Sequence, residues 1–506
     1  MPLPEPHDIQ RLILRGYRER PVTSYLLMRV TDAAAARTWI GRLAEATAEA
    51  NRLADEDARQ LDAHLARAPA LIGTAHPAWR REDNDRVRGL RLMLAFTHRG
   101  LERLGLPAQV LETFIPEFRQ GMTAPHRSRV LGDVGSEAPE NWRWGSDDSP
   151  VDMLCAVFAG SHGELESTRL DATLGLRGAG LEVFERIGAR LSFTEPFGFA
   201  DGLSQPRIEG AGTARVAPMT RWDNSLPAGE FLLGHRNAYE QLPVSPYALQ
   251  EPPGPGVLPR VPGQRDRWDF GRNGSFIAMR QLSQDVEGFR RFTEGQARRD
   301  LGDRAGGASE QTLRDAEERV GARMVGRWRS GTPLELAPEW DDPTHRTEND
   351  FAYAKEDREG ARCPIGAHVR RSNPRDSRTD EAIGVTPEVA MERVNHHRIL
   401  RRSRVYPAKP GEDGETGIVF LAYNTNLERQ FEFVQQSWSP NAHVDALPDA
   451  RDPMLPGAEG ADNTMTVQRQ TLATRMRGLS EFVKMRGGAY FFMPGLRALA
   501  HLAGIS

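Results

Sequence analysis

Strand-like runs recur along this chain in the same order, twice. In the first half, Thr23–Val30, Gly89–Phe96 and Met153–Ala159 are rich in the branched, aromatic and apolar types that fill a covered, pleated surface. A long helix is predicted over 33–54, with Asp32 as its N-cap. Short helices are predicted over 98–104 and 107–119, and a further one from about Gly163. In the second half, Gly274–Leu282 alternates like a strand and a helix begins near Asp285. Gly417–Tyr423 is a strand of buried types, 427–436 a helix, and Gly488–Pro494 a closing strand. Strand, helix, strand followed by strand, helix, strand is the order of a split β-α-β unit. Two such units give an α+β chain of two ferredoxin-like domains, each an antiparallel sheet with helices packed on it, duplicated in the manner of a dimeric α+β barrel. No residue-level repeat links the halves, so the duplication rests on element order.

The expected division runs 1–195 for the N-terminal domain and 196–506 for the C-terminal one. Two insertions are expected in the second, at about 244–273 and 294–348. The first is rich in Pro and Gly; the other is charged and helix-prone, then Pro-rich.

With 506 residues there is ample chain for sizeable cores. The balance of 66 basic and 70 acidic residues, net −4, argues against a nucleic-acid partner. Basic residues do gather in 370–378 and 398–404, as a solvated loop or as a seat for an anionic cofactor. Two cysteines, Cys155 and Cys363, make no disulfide framework and fit a reducing compartment. No stretch approaches the uninterrupted apolar length of a membrane span, and the start of the chain lacks a secretory pattern. The expectation is a cytoplasmic protein.

Two segments carry chemistry. One is Cys363-Pro-Ile-Gly-Ala-His-Val-Arg-Arg-Ser-Asn-Pro-Arg375, a histidine leading into a basic stretch. The other is Glu195-Pro-Phe-Gly-Phe-Ala-Asp-Gly-Leu-Ser-Gln-Pro-Arg207, a carboxylate in a glycine-flanked turn. Taken singly, His368 reads as one structural histidine among 13, and Asp201-Gly202 as a common turn. Together, in this order, they resemble the haem site of the dye-decolorizing peroxidases. The resemblance extends to Asp8–Gly16, Gln120–Met122, Leu427–Gln436 and Phe491–Ala498, and is greatest to the long bacterial members.

The resemblance implies roles. His368 would bind the iron of haem b, with His396 and His397 as competitors. Asp201, in Gly198-Phe-Ala-Asp-Gly202, would move a proton between the two oxygens of hydrogen peroxide. Arg401 would stabilise the negative charge left on the departing oxygen, with Arg402 as the rival register. Glu481 would accept the second ring N–H of His368. Ile418 and Phe420, two apart on one strand, would line the pocket. Arg280 and Arg370 would meet the haem propionates. Cys363 raises the rival of thiolate ligation, with a small buried residue as its plainer role. No Cys-x-x-Cys-His motif is present, so the haem would be held without covalent attachment.

The implied activity is oxidation of aromatic electron donors, dyes and phenols, by hydrogen peroxide through an iron(IV)-oxo intermediate. A haem carrier or sensor, or an iron-releasing haem protein with little turnover, is the alternative. It would need His368 but neither Asp201 nor Arg401. A monomer or homodimer is expected, with no nucleic-acid or membrane partner.

Overall fold

A computed structural model describes residues 3–56, 70–74, 89–211, 224–250, 258–408, 415–438, 452–456, 463–469 and 472–505. Residues 251–257 of the first expected insertion lie outside the described residues.

Four strands make the first sheet: β1 (Val22–Val30), β2 (Leu90–Phe96), β3 (Met153–Ala159) and β4 (Leu181–Arg190). Their order is β2-β3-β1-β4, all antiparallel. The second half repeats this with β5 (Ser275–Gln284), β6 (Arg404–Tyr406), β7 (Thr416–Asn424) and β8 (Val483–Met493). Their order is β6-β7-β5-β8, again antiparallel. Numbered within its own half, each sheet therefore runs second, third, first, fourth. This is the duplicated ferredoxin-like α+β arrangement, present without any repeat of residues. A short strand Ala70–Ile72 adds to β2 in parallel, which the sequence pattern did not announce.

The two sheets close into one ring through two thin joints. Phe96 pairs with Phe492 between β2 and β8, and Arg190 with Val405 between β4 and β6. Side chains do the rest. One face of the strands points into the ring, where Tyr25, Leu27, Ile277, Met279, Val419 and Tyr423 form a core. The other face packs on helices through Leu26, Met28, Ala278 and Leu282. Central strand β5 is buried along its whole length because both faces are covered.

Helix α1 (Ala33–Glu56) begins where expected: Asp32 accepts a hydrogen bond from Ala35 N at 3.0 Å and so caps it. α2 (Ser167–Leu174) lies between β3 and β4. α3 (Val286–Leu301) follows β5, with Asp285 accepting from Gly288 N at 2.8 Å as its N-cap. α4 (Glu310–Val325) follows it, and α5 (His368–Ser372) is one short turn.

Two departures sit next to the cavity described below. The segment 427–436, expected as a helix, winds with π geometry over Glu428–Glu432 and Val434–Trp438. The wider turn sends Phe431, Val434 and Gln435 to one cavity. Strand β8 carries a bulge: Gln281 faces Gly487 but Leu282 faces Met485. Gly487 is required there, because a Cβ would stand 2.5 Å from the Trp144 indole.

Candidate active site

A slot opens between the outward face of the second sheet and the turn carrying α5. On the sheet side, Arg280, Leu282 and Gln284 of β5 stand beside Phe420 and Ile418 of β7. These residues alternate along their strands, so period two alone brings them to one face. On the opposite side are Val325, at the end of α4, with His368 and Val369 of α5. The loop Phe199–Ser204 and the segment Arg398–Ser403 close one margin, and the π-wound Phe431–Gln435 and Met454–Pro456 close others.

His368 starts its short helix with its ring partly exposed to the cavity. Its Nδ1 lies 2.9 Å from Oδ2 of Asp452, whose side chain is fully buried. Asp452 Oδ1 in turn accepts from Met454 N at 2.9 Å, which fixes the carboxylate. Nε2 has no hydrogen-bond partner among the described residues and is left as a donor atom for a ligand. The expectation that Glu481 fills the Asp452 role is corrected. Glu481 sits 3.4 Å from Ser136 Oγ, beside Glu137, and does not line the cavity. It precedes β8 on the side facing the first domain's loops. Asp452 lies 84 residues from His368, in a stretch without periodicity, and only the general need of such a histidine for a carboxylate pointed towards it.

Asp201 lines the cavity on a loop whose backbone folds back on itself. Its N–H donates to Phe193 O at 2.9 Å, and its Oδ1 accepts from Gly202 N at 2.6 Å. Gly198 has φ +95°, a backbone angle that a β-carbon would strain, and that turn lets the loop pass Arg329. Arg401 also lines the cavity. Its neighbour Arg402 points to the other side and donates to the carbonyls of Leu12 (2.9 Å) and Ile13 (2.8 Å). Strand alternation thus separates the two registers, and Arg401 is the one at the slot.

The other expected residues divide. Ile418 and Phe420 are on the wall. Arg280 is there too, but its guanidinium is paired with the buried Asp133 from the first half of the chain. Arg370 is not. Two residues after His368 on a helix, it points roughly 200° away. There it binds Asp357 Oδ2 at 2.8 Å and the Cys363 carbonyl at 2.7 Å. Cys363 is buried, and burial pushes its thiol up to about 12, so it is no thiolate. His396 packs on Tyr239 with ring centroids 4.0 Å apart and His397 stacks on Phe433 at 3.7 Å; neither lines the cavity.

Two further arginines set the charge of the slot, one of them, Arg398, from the basic run 398–404. Arg327 and Arg398 are buried on its wall near Arg401. Arg327 donates to Gly331 O and Asn349 Oδ1, both at 2.7 Å, and Arg398 to Ser204 O at 3.0 Å. No carboxylate of the described residues lies within ion-pair distance of these three arginines. Burial pulls Arg398 down to about 9, aided by the charges of Arg375 and Arg401, and Arg327 to about 10. Buried cations without counterions cost several kcal/mol each. A ligand bringing carboxylates would relieve that cost. The slot therefore fits haem: a histidine nitrogen with a buried carboxylate behind it, an apolar face, and guanidiniums awaiting anions. No group of three or more metal-ligating side chains occurs elsewhere among the described residues.

No protein-family profile matches the chain. Curated relatives do. A dye-decolorizing peroxidase of Exidia glandulosa is 28% identical over 424 residues, 81% of this chain and 74% of that protein. The multifunctional dye peroxidase DyP2 of an Amycolatopsis species is 27% identical, with 98% of this chain and 95% of that protein aligned. Among solved structures, an ancestral D-type dye-decolorizing peroxidase superposes with TM-score 0.70 at 25% identity, covering 99% of both chains. A dye-decolorizing peroxidase of Auricularia auricula-judae superposes with TM-score 0.73 at 21% identity over 99% of both. Matched from end to end in sequence and in fold, the chain is similar to the dye-decolorizing peroxidases, and its named relatives support an enzyme of that type.

Proposed function

We propose that this enzyme binds one haem b non-covalently in the slot and uses hydrogen peroxide to oxidise aromatic donors such as dyes and phenols. The observation that carries this reading is His368, with Nε2 free at the slot and Nδ1 held by the buried Asp452. His368 Nε2 would be the iron ligand, with Asp452 behind it holding the other ring nitrogen. Arg398 and Arg327 would take the propionates in place of Arg280 and Arg370, whose guanidiniums already have carboxylates. Bound there, haem would supply the iron that accepts the oxidising equivalents of the peroxide.

The protein's own share is proton and charge. Asp201 takes a proton from one peroxide oxygen and delivers it to the other. Arg401 stabilises the negative charge on the oxygen that departs. Ile418 and Phe420 keep bulk water from that side of the slot. The lining residues run from Glu195 to Val483, which supports a cofactor domain beginning near residue 196 and an N-terminal domain before it. The two cysteines are buried and unbridged, in keeping with a reducing, cytoplasmic setting.

The test is a pair of variants followed by visible spectroscopy and stopped flow. His368→Ala should lose the native haem spectrum and the activity. Asp201→Asn should retain haem and react with peroxide about 100-fold more slowly, the lower end for a lost acid–base group. A rate unchanged in Asp201→Asn removes Asp201 from the proton transfer, and a native spectrum in His368→Ala removes the ligand assignment.

A further inference from the structure

The loop that presents Asp201 is built around a second carboxylate. Glu195 Oε1 accepts from Phe199 N at 2.9 Å, and its Oε2 accepts from Phe197 N at 3.0 Å. Oε2 also accepts from Gln284 Nε2 at 2.6 Å, a side chain of β5. The backbone repeats the closure: Glu195 N donates to Phe199 O at 3.0 Å and Gly198 N to Glu195 O at 2.8 Å. Phe197 stacks on Phe289 of α3, with ring centroids 4.5 Å apart. Every hydrogen-bond partner of the Glu195 carboxylate is a donor. Glu195 lines the same cavity as Asp201.

We propose that Glu195 is a positioning residue for Asp201: it ties the Asp201 loop to strand β5 and so holds the Asp201 carboxylate in place at the slot. The proposal rests on the proton-transfer role assigned to Asp201. The tie runs from the cavity floor, Gln284, through the carboxylate to the two amides that precede Ala200 and Asp201. Glutamine at 195 cannot reproduce it. Its NH₂ would confront either a backbone N–H or the Gln284 amide, so at least one of the three bonds becomes a donor–donor clash. Burial, together with Asp201's charge, holds Glu195 above the ordinary glutamate range.

The experiment is a double-mutant cycle on the holoenzyme, reading the second-order rate constant with hydrogen peroxide against pH, haem content and donor KM. Glu195→Gln should leave haem content and donor KM within twofold and slow the peroxide step at least tenfold. Glu195→Asp should recover part of the rate. Glu195→Gln combined with Asp201→Asn should be no slower than Asp201→Asn alone, since Glu195 acts only through Asp201. A wild-type rate in Glu195→Gln with a slow Asp201→Asn overturns the inference and spares the Asp201 reading. So does a double variant whose losses multiply. A wild-type rate in Asp201→Asn overturns the Asp201 reading itself, and the inference with it. If Glu195→Gln fails to take up haem, Gln284→Met gives the readout by removing one of the three donors. It should slow the peroxide step severalfold with haem content unchanged, and an unchanged rate there overturns the tie.

Discussion

A histidine that ligates iron is tuned by what its second nitrogen touches. For the proposed ligand His368 that contact is Asp452, buried and fixed by its own bond to Met454 N. Asp452→Asn should keep the iron ligand but remove the negative charge behind it. The ferric/ferrous potential of the holoenzyme should then rise by on the order of 60 mV or more, one tenfold change for a one-electron couple. Glu481→Gln should leave it unchanged, and spectroelectrochemical titration of both variants checks the assignment. Arg398 offers a second test at this scale. If its buried charge waits for a haem carboxylate, adding haem to the apoprotein should raise the melting temperature more in the wild type than in Arg398→Met. Paired thermal melts with and without haem read this directly; equal increments would place the propionates elsewhere.

The elements show what could be read in advance and what could not. β1, β3, β5 and β7 follow their apolar runs because covered strands leave a dense chemical record in the sequence. Asp32 was legible as a cap, and the helix start at Asp285 with it, because an N-cap is a local event. His368, Asp201, Arg401, Ile418 and Phe420 all reach the slot, each from a distinct motif or a strand of period two. Asp452 and Arg327 were missed because their roles come from where the loops are folded to, which local pattern does not encode, and Arg398 stood only as part of a basic run with no role of its own. Arg370 was misjudged because two residues on a helix reverse the direction of a side chain. The π winding of Glu428–Trp438 was hidden too, since its apolar spacing passes for an ordinary helix. The bulge in β8 gives a prediction at this scale. Gly487→Ala drives a methyl into the Trp144 indole, so denaturant unfolding should show a loss of about 1–3 kcal/mol, the cost of overpacking.

At the scale of the molecule, one buried ion pair ties the halves together beside the cofactor slot. Asp133, from the first half, holds Arg280, from β5. Asp133→Asn leaves the guanidinium buried without its partner and should cost about 3–5 kcal/mol. Replacing both by Leu and Met of similar bulk should recover most of that loss. Equilibrium unfolding of the single and double variants decides it, and a double variant as unstable as the single would mean that packing, not charge, sets the cost.

The ring of strands closes on one paired position at each joint, Phe96 with Phe492 and Arg190 with Val405. Backbone ladders thus knit each half internally and scarcely knit one half to the other. Across the seams, the greasy filling they share stands beside polar ties such as the Asp133–Arg280 pair and the Arg402 and Arg404 hydrogen bonds to the first half. The apolar share of that adhesive has a temperature coefficient opposite to the one intuition expects: it weakens on cooling.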